Sequence, residues 1–366
     1  MRLIVDSGEC FSKIEYDAQT YTFELIGDKG NSIFFQSKLE LDNEYDPSNF
    51  ELFYLNNGVA SESSIYKVYC GDVRVGWMFP IQALISSEHD YATDKFFLRY
   101  AFVATYRLLS GLDKECKELE ENELFIDAFY DTNKQILVLD VENLSELGPD
   151  FSIDEYVVSL YEKGYSFVGT GRNGVDNKLI ETNLRLKPLP VAWEKSPYIV
   201  TLFRNLIPKE SDPLAKFHIL YQCVEIMITI MFKNSFYNFV NTLNCDEDFL
   251  MERKEVLDKM LNEKSRVKEL FSSNCSLSDF NRDRLNSICK TILDENKYKT
   301  SANDNLGENL YNVRCLIVHN MYVLNEKSLE DLKTLVSFFE DALIEMVMTF
   351  SISREDFAKK PVLVSD

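Results

Sequence analysis

The sequence predicts an α+β protein in which a strand-rich first half, residues 1–190, is followed by an all-α helical bundle, residues 191–366. Three observations carry this prediction. The first half contains runs of β-branched and aromatic residues separated by turn residues, which is typical of hairpins. Pro188, Pro190 and Pro197 then mark a connector that disfavours helix and sheet alike. Beyond it, apolar residues recur at helical spacing.

Length and composition agree with two folded domains. A chain of 366 residues is longer than one hydrophobic core usually organises, and 45% hydrophobic with 27% charged residues is typical of a folded protein. The longest clean apolar run, 226–232, is too short to span a bilayer. The N-terminus meets acidic residues before a signal-peptide core could form. We therefore expect a cytoplasmic protein that does not associate with membranes.

Strands and one helix are predicted through the first 111 residues. Hairpins are expected around the turn sequences GDKGN at 27–31 and CGD at 70–72. The segment DKFFLRYAFVATYRLLSGL carries apolar residues at helical spacing and predicts a helix that ends at Gly111. His89 and Asp90 precede this helix as an acid and imidazole pair, which a solvated loop explains equally well.

The rest of the first half mixes short elements. A strand is predicted over 135–144, and Ser152 with Glu155 forms the capping-box pattern of a short helix. Gly169, Gly171 and Gly174 have the spacing of a dinucleotide-binding loop. Such a loop must lead into a helix, whereas the following KLIETNLRL alternates like a strand. A hairpin loop is therefore the favoured interpretation.

Four helical segments, three of them with a predicted cap, build the predicted bundle beside the segment that ends at residue 320. The first is capped by Ser211 or Asp212 and has Pro213 at its first helical position. The second is a long charged helix over 247–271. The third is capped near Ser276 or Ser278, and the last is capped at Ser328.

Charge and cysteine usage restrict the function. The net charge is −21, of which residues 1–190 contribute −16 and residues 191–366 contribute −5. Tight nonspecific binding of nucleic acid is disfavoured, but a near-neutral second half can focus a few arginines on a transient substrate. The eight cysteines include no C-x-x-C pair, which indicates reduced core thiols and no metal site. No cofactor is expected.

The segment LYNVRCLIVHN, 310–320, places Arg314 and His319 on an otherwise apolar helix. Five residues separate them, which is about 7.5 Å of rise and about 140° of rotation. They can meet across a groove or with the same pair from a second subunit. Arginine clamps phosphate oxygens, and histidine moves protons near neutral pH. The alternative is two polar residues on a solvated helix face.

This segment resembles the signature of the HEPN superfamily, in which an arginine is followed four to six residues later by a histidine on a late helix of a small α-bundle. Tyr311 stands three residues before Arg314, and Asn320 follows His319. The stretch DPLAKFHILYQCVEIMI resembles the first helix of these domains, where a polar residue commonly faces the arginine. Glu225 matches that residue. The resemblance covers about residues 197–350.

The resemblance implies metal-independent cleavage of RNA in a cleft between two subunits. His319 would act as the general base or acid on the ribose 2′-OH, Arg314 would stabilise the phosphorane oxygens, and Glu225 would position Arg314. Contacts to RNA are expected from residues near this pair: Asn320, Gln222 and Asn312. The chain departs from many active members at Cys315, where they have a polar residue.

Two classes of function follow from these observations. The first is an endoribonuclease of toxin or anti-phage type, a homodimer through its bundle, with residues 1–190 as a sensing, regulatory or partner-binding domain. The second is a noncatalytic HEPN scaffold that dimerises or binds a partner. A nucleotide-binding partner of a nucleotidyltransferase is disfavoured, because the first half lacks a polymerase-type carboxylate motif.

Overall fold

The computed structural model describes residues 3–5, 10–57, 65–111, 115–116, 123–124, 126, 130, 134–169, 183–194, 196–242, 250–301, 304–320, 322, 324 and 326–352. The chain divides into two compact units, Met1–Pro188 and Leu189–Asp366. The predicted α+β class is confirmed, because the strands lie in the first unit and the second unit is helical.

The first unit contains twelve strands within its described residues. They are β1 (Leu3–Val5), β2 (Cys10–Asp17), β3 (Thr22–Gly27), β4 (Ser32–Gln36), β5 (Phe50–Asn57), β6 (Tyr66–Cys70), β7 (Val73–Pro80), β8 (Glu115–Cys116), β9 (Glu123–Leu124), β10 (Gln135–Asp140), β11 (Tyr165–Ser166) and β12 (Asn183–Leu186). Its helices are α1 (Lys95–Ser110), α2 (Val141–Ser145) and α3 (Val157–Glu162).

These strands form two sheets, with the orders β8-β1-β2-β3-β4-β9 and β11-β5-β10-β7-β6-β12. Both predicted hairpins are present, since β3 pairs antiparallel with β4 and β6 with β7. The central strand β10 is buried along its whole length, as expected for a strand covered on both faces. Gly76 on β7 is required beside it, because a Cβ there would lie 2.0 Å from the carbonyl oxygen of Val138.

Helix α1 supplies the core between the two sheets. Asp94 caps it by accepting from the backbone N–H of Phe96 at 2.8 Å, and it ends at Gly111 as the sequence predicts. Its buried side chains, among them Phe97, Ala101 and Leu108, pack with the inner faces of both sheets. A second cluster covers the other face of the second sheet with residues of α2 and α3.

Two predictions in this unit are corrected. The strand expected over 135–144 ends at Asp140, whose side chain turns the chain into α2 by accepting from the N–H of Glu142 at 3.0 Å. Ser152 is a cap, but it accepts from Asp154 and a 3-10 turn precedes α3. Gly169 has a positive φ of 72°, whereas Gly171 and Gly174 lie outside the described residues.

The second unit is a bundle of helices. They are α4 (Tyr198–Thr201), α5 (Pro213–Thr242), α6 (Leu250–Leu261), α7 (Glu263–Glu269), α8 (Asp279–Glu295), α9 (Leu306–Asn320) and α10 (Glu326–Thr349), with π-helical turns at Leu202–Leu206 and Leu270–Asn274. Helix α8 packs against α9 and α10, and α5 packs against α10.

Helix α5 begins as predicted. Asp212 accepts from the backbone N–H of Ala215 at 2.8 Å, and Pro213 is the first helical residue. The helix is much longer than the apolar run inside it, and Pro213–Val240 is long and apolar enough to cross a membrane. Core helices pass the same test, and Phe217, Val224 and other residues of its apolar stripe are buried within the unit.

Two helix boundaries differ from the prediction. The charged helix expected over 247–271 breaks at Asn262, which has extended backbone and caps α7 by accepting from the N–H of Ser265 at 3.0 Å. Ser328 lies inside α10 and is not its cap. Its buried hydroxyl accepts from the side-chain amide of Asn296 at 2.8 Å. Ser278 caps α8, in agreement with one of the two predicted starts.

The close approach of α9 to α7 fixes how α9 sits in the bundle. A Cβ on Gly307 would lie 2.9 Å from the carbonyl oxygen of Val267. Beside it, the Glu308 carboxylate bonds the ammonium groups of Lys264 and Lys268 at 2.8 and 3.3 Å. The hydrogen bond from Lys264, helped by Lys268 and opposed by burial, lowers the pKa of Glu308 to about 2.

Replacing Glu308 by Gln tests this contact. The folded-state pKa lies below the ordinary value of 4.5, so the charged carboxylate stabilises the fold above that pH and loses its effect as the pH falls toward 2. We expect Glu308→Gln to lower the free energy of unfolding by about 2 to 3 kcal/mol at pH 7 and by less than half of that at pH 3.

Urea unfolding followed by circular dichroism measures both values. Glu330→Gln, which changes an exposed glutamate on α10, is the matched control and should leave the stability within about 0.5 kcal/mol of wild type. An equal loss for Glu308→Gln at both pH values would contradict the electrostatic account.

Candidate active site

Helix α9 presents Arg314 and His319 because its other side is core. Leu310, Val313 and Leu316 are fully buried, and Ile317 is nearly so. These apolar residues recur every three or four positions, which gives the helix one inward stripe. Side chains between them are therefore turned away from the core.

The structure brings Arg314 and Glu225 together. Arg314 Nη2 lies 3.4 Å from Glu225 Oε1, so a residue of α9 contacts a residue of α5. The Arg314 side chain is 21% exposed and that of Glu225 is 47% exposed. The guanidinium also lies 5.7 Å from the ring centroid of Tyr221, one helical turn before Glu225. The ion pair is thus held at a partly open surface.

Neighbouring acidic groups stabilise the Arg314 cation. Partial burial lowers the pKa of Arg314, but the charges of Glu263 and Glu225 help to raise it above its ordinary value. Arginine is protonated in any case, so the effect of these neighbours is to hold the cation in place. A permanent positive charge at a partly open surface is suited to an anionic ligand.

Tyr221 adds a hydroxyl that the sequence pattern assigned to the core. The residue is almost fully buried, and its hydroxyl has no hydrogen-bond partner among the described residues. Burial, followed by the nearby charge of Glu263, raises the pKa of Tyr221 well above 10. The hydroxyl therefore stays protonated beside the guanidinium.

Cys315 is engaged by its own helix. Burial first, and then a hydrogen bond with the Cys315 thiol, raises the pKa of Tyr311 to about 12. The two residues are four apart, as expected for neighbours along one helix face. The thiol that stands where many HEPN members have a polar residue is thus directed at Tyr311.

His319 lies apart from the cluster that Arg314 forms with Glu225, Tyr221 and Glu263. It is exposed in the last turn of α9, and no hydrogen bond or ion pair joins its ring to a described residue. Asn320 beside it is half-buried. Five residues of helix place His319 about 140° around the axis from Arg314. Within one chain, no contact among the described residues links the two side chains.

The other two expected RNA-binding residues have structural partners. The Gln222 side-chain oxygen accepts from the hydroxyl of Tyr198 at 3.4 Å. Asn312 is buried, and its amide donates to the backbone oxygen of Lys299 at 2.9 Å. Asn312 therefore secures the segment before α9, and its amide is not presented to a ligand.

No metal centre is seen in the parts of the chain that the structure describes, where no group of three or more histidine, cysteine or acidic side chains is placed to hold an ion. Cys70, Cys223, Cys275, Cys289 and Cys315 are unpaired thiols.

His89, the other imidazole near an acid, has a structural role. Its Nε2 bonds the backbone oxygen of Ala83 at 3.0 Å, and its Nδ1 accepts from the backbone N–H of Tyr91 at 3.3 Å. These two bonds select the neutral ring with the proton on Nε2. Burial lowers the pKa of His89, and the Ala83 bond and Asp90 oppose this only in part.

Two residues of the cluster escaped the sequence analysis. Tyr221 falls on the apolar stripe of α5, where tyrosine is usually core, although it stands one turn before Glu225. Glu263 belongs to the segment predicted as one unbroken helix, so its place after the break at Asn262 was hidden. The cap-type residue Asn262 was the available signal for that break.

Comparison of the chain with models of known protein families, with curated proteins and with solved structures finds no match. The similarity of residues 309–320 to the HEPN signature therefore rests on the residues themselves.

Acidification should destabilise the His89 loop. Since the folded pKa of His89 is lowered, its contribution is complete above the ordinary value of 6.5 and is lost progressively as the pH falls below it. We expect the melting temperature of wild type to fall more between pH 7.5 and pH 5.5 than that of His89→Gln. His218→Gln, which changes an exposed histidine on α5, should follow wild type. Parallel curves for wild type and His89→Gln would refute this assignment.

Proposed function

We propose that the protein is a metal-independent endoribonuclease of HEPN type that acts as a toxin or anti-phage effector. One observation carries the proposal: Arg314 is held by Glu225 and lies 5.7 Å from the Tyr221 ring centroid at a partly open surface. The same helix carries His319, an exposed histidine that has no hydrogen-bond or ion-pair partner among the described residues. A fixed guanidinium suits the charge that develops on the phosphate oxygens during attack by the ribose 2′-OH, and an imidazole suits the proton transfer.

Arg314 supplies the electrostatic part of the reaction. Negative charge grows on the non-bridging phosphate oxygens as the 2′-oxygen attacks, and a fixed guanidinium stabilises it. Glu225 positions the guanidinium and contacts no reacting atom. The protonated hydroxyl of Tyr221, buried beside the guanidinium, is a further donor within the same cluster.

His319 moves the protons. Its ring accepts the proton of the 2′-OH, the 2′-oxygen bonds to the adjacent phosphorus, and the 5′-oxygen leaves after taking a proton from an acid or from water. The products are a 2′,3′-cyclic phosphate end and a free 5′-hydroxyl, and no metal or cofactor takes part. Asn320 and Gln222 are the remaining polar candidates for contacts with the RNA.

The proposed active form is a homodimer through the bundle. The rotation of about 140° between Arg314 and His319 favours a cleft to which a second copy contributes the same pair. Val318 and Tyr322, on either side of His319 in sequence, are 42% and 86% exposed. Apolar and aromatic side chains of this kind are typical of interface cores.

The first unit is proposed to sense, regulate or bind a partner, and the location to be cytoplasmic. Its net charge of −16 over residues 1–190 favours repulsion of RNA from most of its surface. Helix α5 is then a core helix of a soluble bundle.

A noncatalytic scaffold is the second candidate. It is favoured by the engagement of Arg314 with Glu225, which also suits a structural ion pair, and by the absence of any contact between Arg314 and His319 among the described residues. In that case the exposed residues near His319 serve dimerisation alone.

Incubation of the full chain with single-stranded RNA in EDTA tests the proposal. We expect wild type to cleave, with cyclic phosphate ends. His319→Ala should lower the rate by about 10² to 10⁴ because the proton transfer is lost. Arg314→Ala should lower it by about 10² to 10³ because the phosphorane charge is no longer stabilised.

The matched control is His218→Ala, which removes an exposed histidine from the same unit and should cleave as wild type does. Melting curves establish that each variant is folded. Equal inertness of all four proteins, or cleavage that survives His319→Ala unchanged, would favour the scaffold.

A further inference from the structure

A cationic and aromatic surface lies on the second sheet of the otherwise acidic first unit. We call it the cationic face and define it by Lys67, Tyr69, Arg74, Phe96 and Arg185. Four of these residues come from the neighbouring strands β12, β6 and β7, and Phe96 comes from the first turn of α1. They are separated widely in sequence, so only the fold brings them together.

Strand register places the charges in a row. Tyr69 on β6 is paired with Arg185 on β12 and with Arg74 on β7, so that an aromatic ring has an arginine on the strand to either side. Neighbouring strands lie about 4.8 Å apart. Two residues before Tyr69 on β6, Lys67 pairs with Trp77 on β7. Arg185 and Arg74 thus lie level with Tyr69 across the three strands, and Lys67 lies one step along the same face.

A β-bulge is what turns Arg74 onto this face. Residues three apart on a regular strand point to opposite faces, so Arg74 and Trp77 would be separated by the sheet. The pairing instead passes from Val68 with Gly76 to Tyr69 with Arg74, which leaves Val75 as the extra residue. The Arg74 guanidinium consequently lies 5.0 Å from the Trp77 ring centroid. Bulges commonly re-aim a side chain near a functional site.

Aromatic rings hold the cations at the surface. The Arg185 guanidinium lies 5.0 Å from the ring centroid of Tyr69, and the Lys67 ammonium lies 5.7 Å from that of Tyr91. Arg74 also lies 6.0 Å from the ring of Phe96, which is 71% exposed. A large apolar ring left in solvent beside an arginine is available to a planar ligand.

These positive charges are incompletely neutralised. Arg185 pairs with Asp72 at 3.5 Å, but the Asp72 side chain is fully exposed, which makes the pair weak. Lys67 and Arg74 form no ion pair with a described carboxylate. Residues 1–190 carry a net charge of −16, so this local excess of positive charge is contrary to the composition around it.

We propose that the cationic face binds single-stranded nucleic acid. Phosphates would be contacted by Lys67, Arg74 and Arg185, and unpaired bases would stack on Phe96 and Tyr69. Binding of single strands without sequence preference uses this combination, in which cations follow the backbone and aromatic side chains stack with bases. The bases of a duplex are already stacked and paired, so they cannot use these rings.

This site lies in the first unit and does not depend on the cleavage proposed for the bundle. A probe without a 2′-hydroxyl separates the two, because the proposed cleavage cannot act on it. Loss of binding and loss of cleavage are therefore measured on different substrates and with different variants.

Fluorescence anisotropy of the full chain with a fluorescein-labelled single-stranded DNA of about 15 nucleotides tests the proposal. We expect saturable binding whose affinity falls with salt at a slope of about −2, since each of three phosphate contacts contributes about −0.7. Arg185→Ala should make the slope less negative by about 0.7, because one phosphate contact is lost. Phe96→Ala should weaken binding about tenfold without changing the slope.

Arg185 and Phe96 are more than half exposed, so these variants keep the fold, and unchanged melting temperatures confirm it. The matched control is Lys134→Ala, which changes an exposed lysine next to Gln135. Gln135 pairs with Pro80, and Pro80 is six residues, or about 20 Å, from Arg74 along β7. It should bind like wild type.

Three results would overturn the proposal. They are no binding at low salt, binding that Arg185→Ala and Phe96→Ala leave unchanged, and complete competition by ATP at the same nucleotide concentration, which would indicate a mononucleotide site instead. A duplex of the same sequence should bind more weakly than the single strand.

Discussion

The contact of α9 with α7 at Gly307 is the constraint on which the bundle's exposed chemistry depends. The backbones approach so closely that a side chain at this position has no room, and the Glu308 ion pairs secure the same turn. Rotation of α9 about its axis is thereby prevented. Its apolar stripe must point inward, so Arg314 meets Glu225 on α5 while His319 is left in solvent.

Local signals made much of the fold predictable. Turn residues between alternating strands located both hairpins, and Asp212 with Pro213 located the start of α5. Predictions failed where a single polar side chain redirected the chain against the surrounding pattern. Asp140 ended a strand by capping α2, and Asn262 divided a segment whose apolar spacing is continuous. Periodicity extends over many residues and therefore overlooks a cap within it.

The candidate site was predictable only in part, for the same reason. Glu225 was matched to Arg314 through the resemblance of its helix to the first helix of HEPN domains, and the two side chains do form an ion pair. Tyr221 was missed because it lies on the apolar stripe of α5. Glu263 was missed because the helix break at Asn262, which places it near Arg314, was not predicted. The cationic face was beyond sequence reasoning, because register between distant strands and one bulge assemble it. Net charge likewise conceals it, since a few cations are averaged with many acids.

The break at Asn262 also determines where the bundle can accommodate a change in length. An extra residue inserted within α7 before Val267 would turn everything after it by about 100°, and Val267 and Phe271 would leave their places beside Gly307 of α9. An insertion at Asn262 alters the connection to α6 alone, because the extended residue already interrupts the helical phase. Natural variation in the length of this charged segment is therefore expected on the α6 side of Asn262.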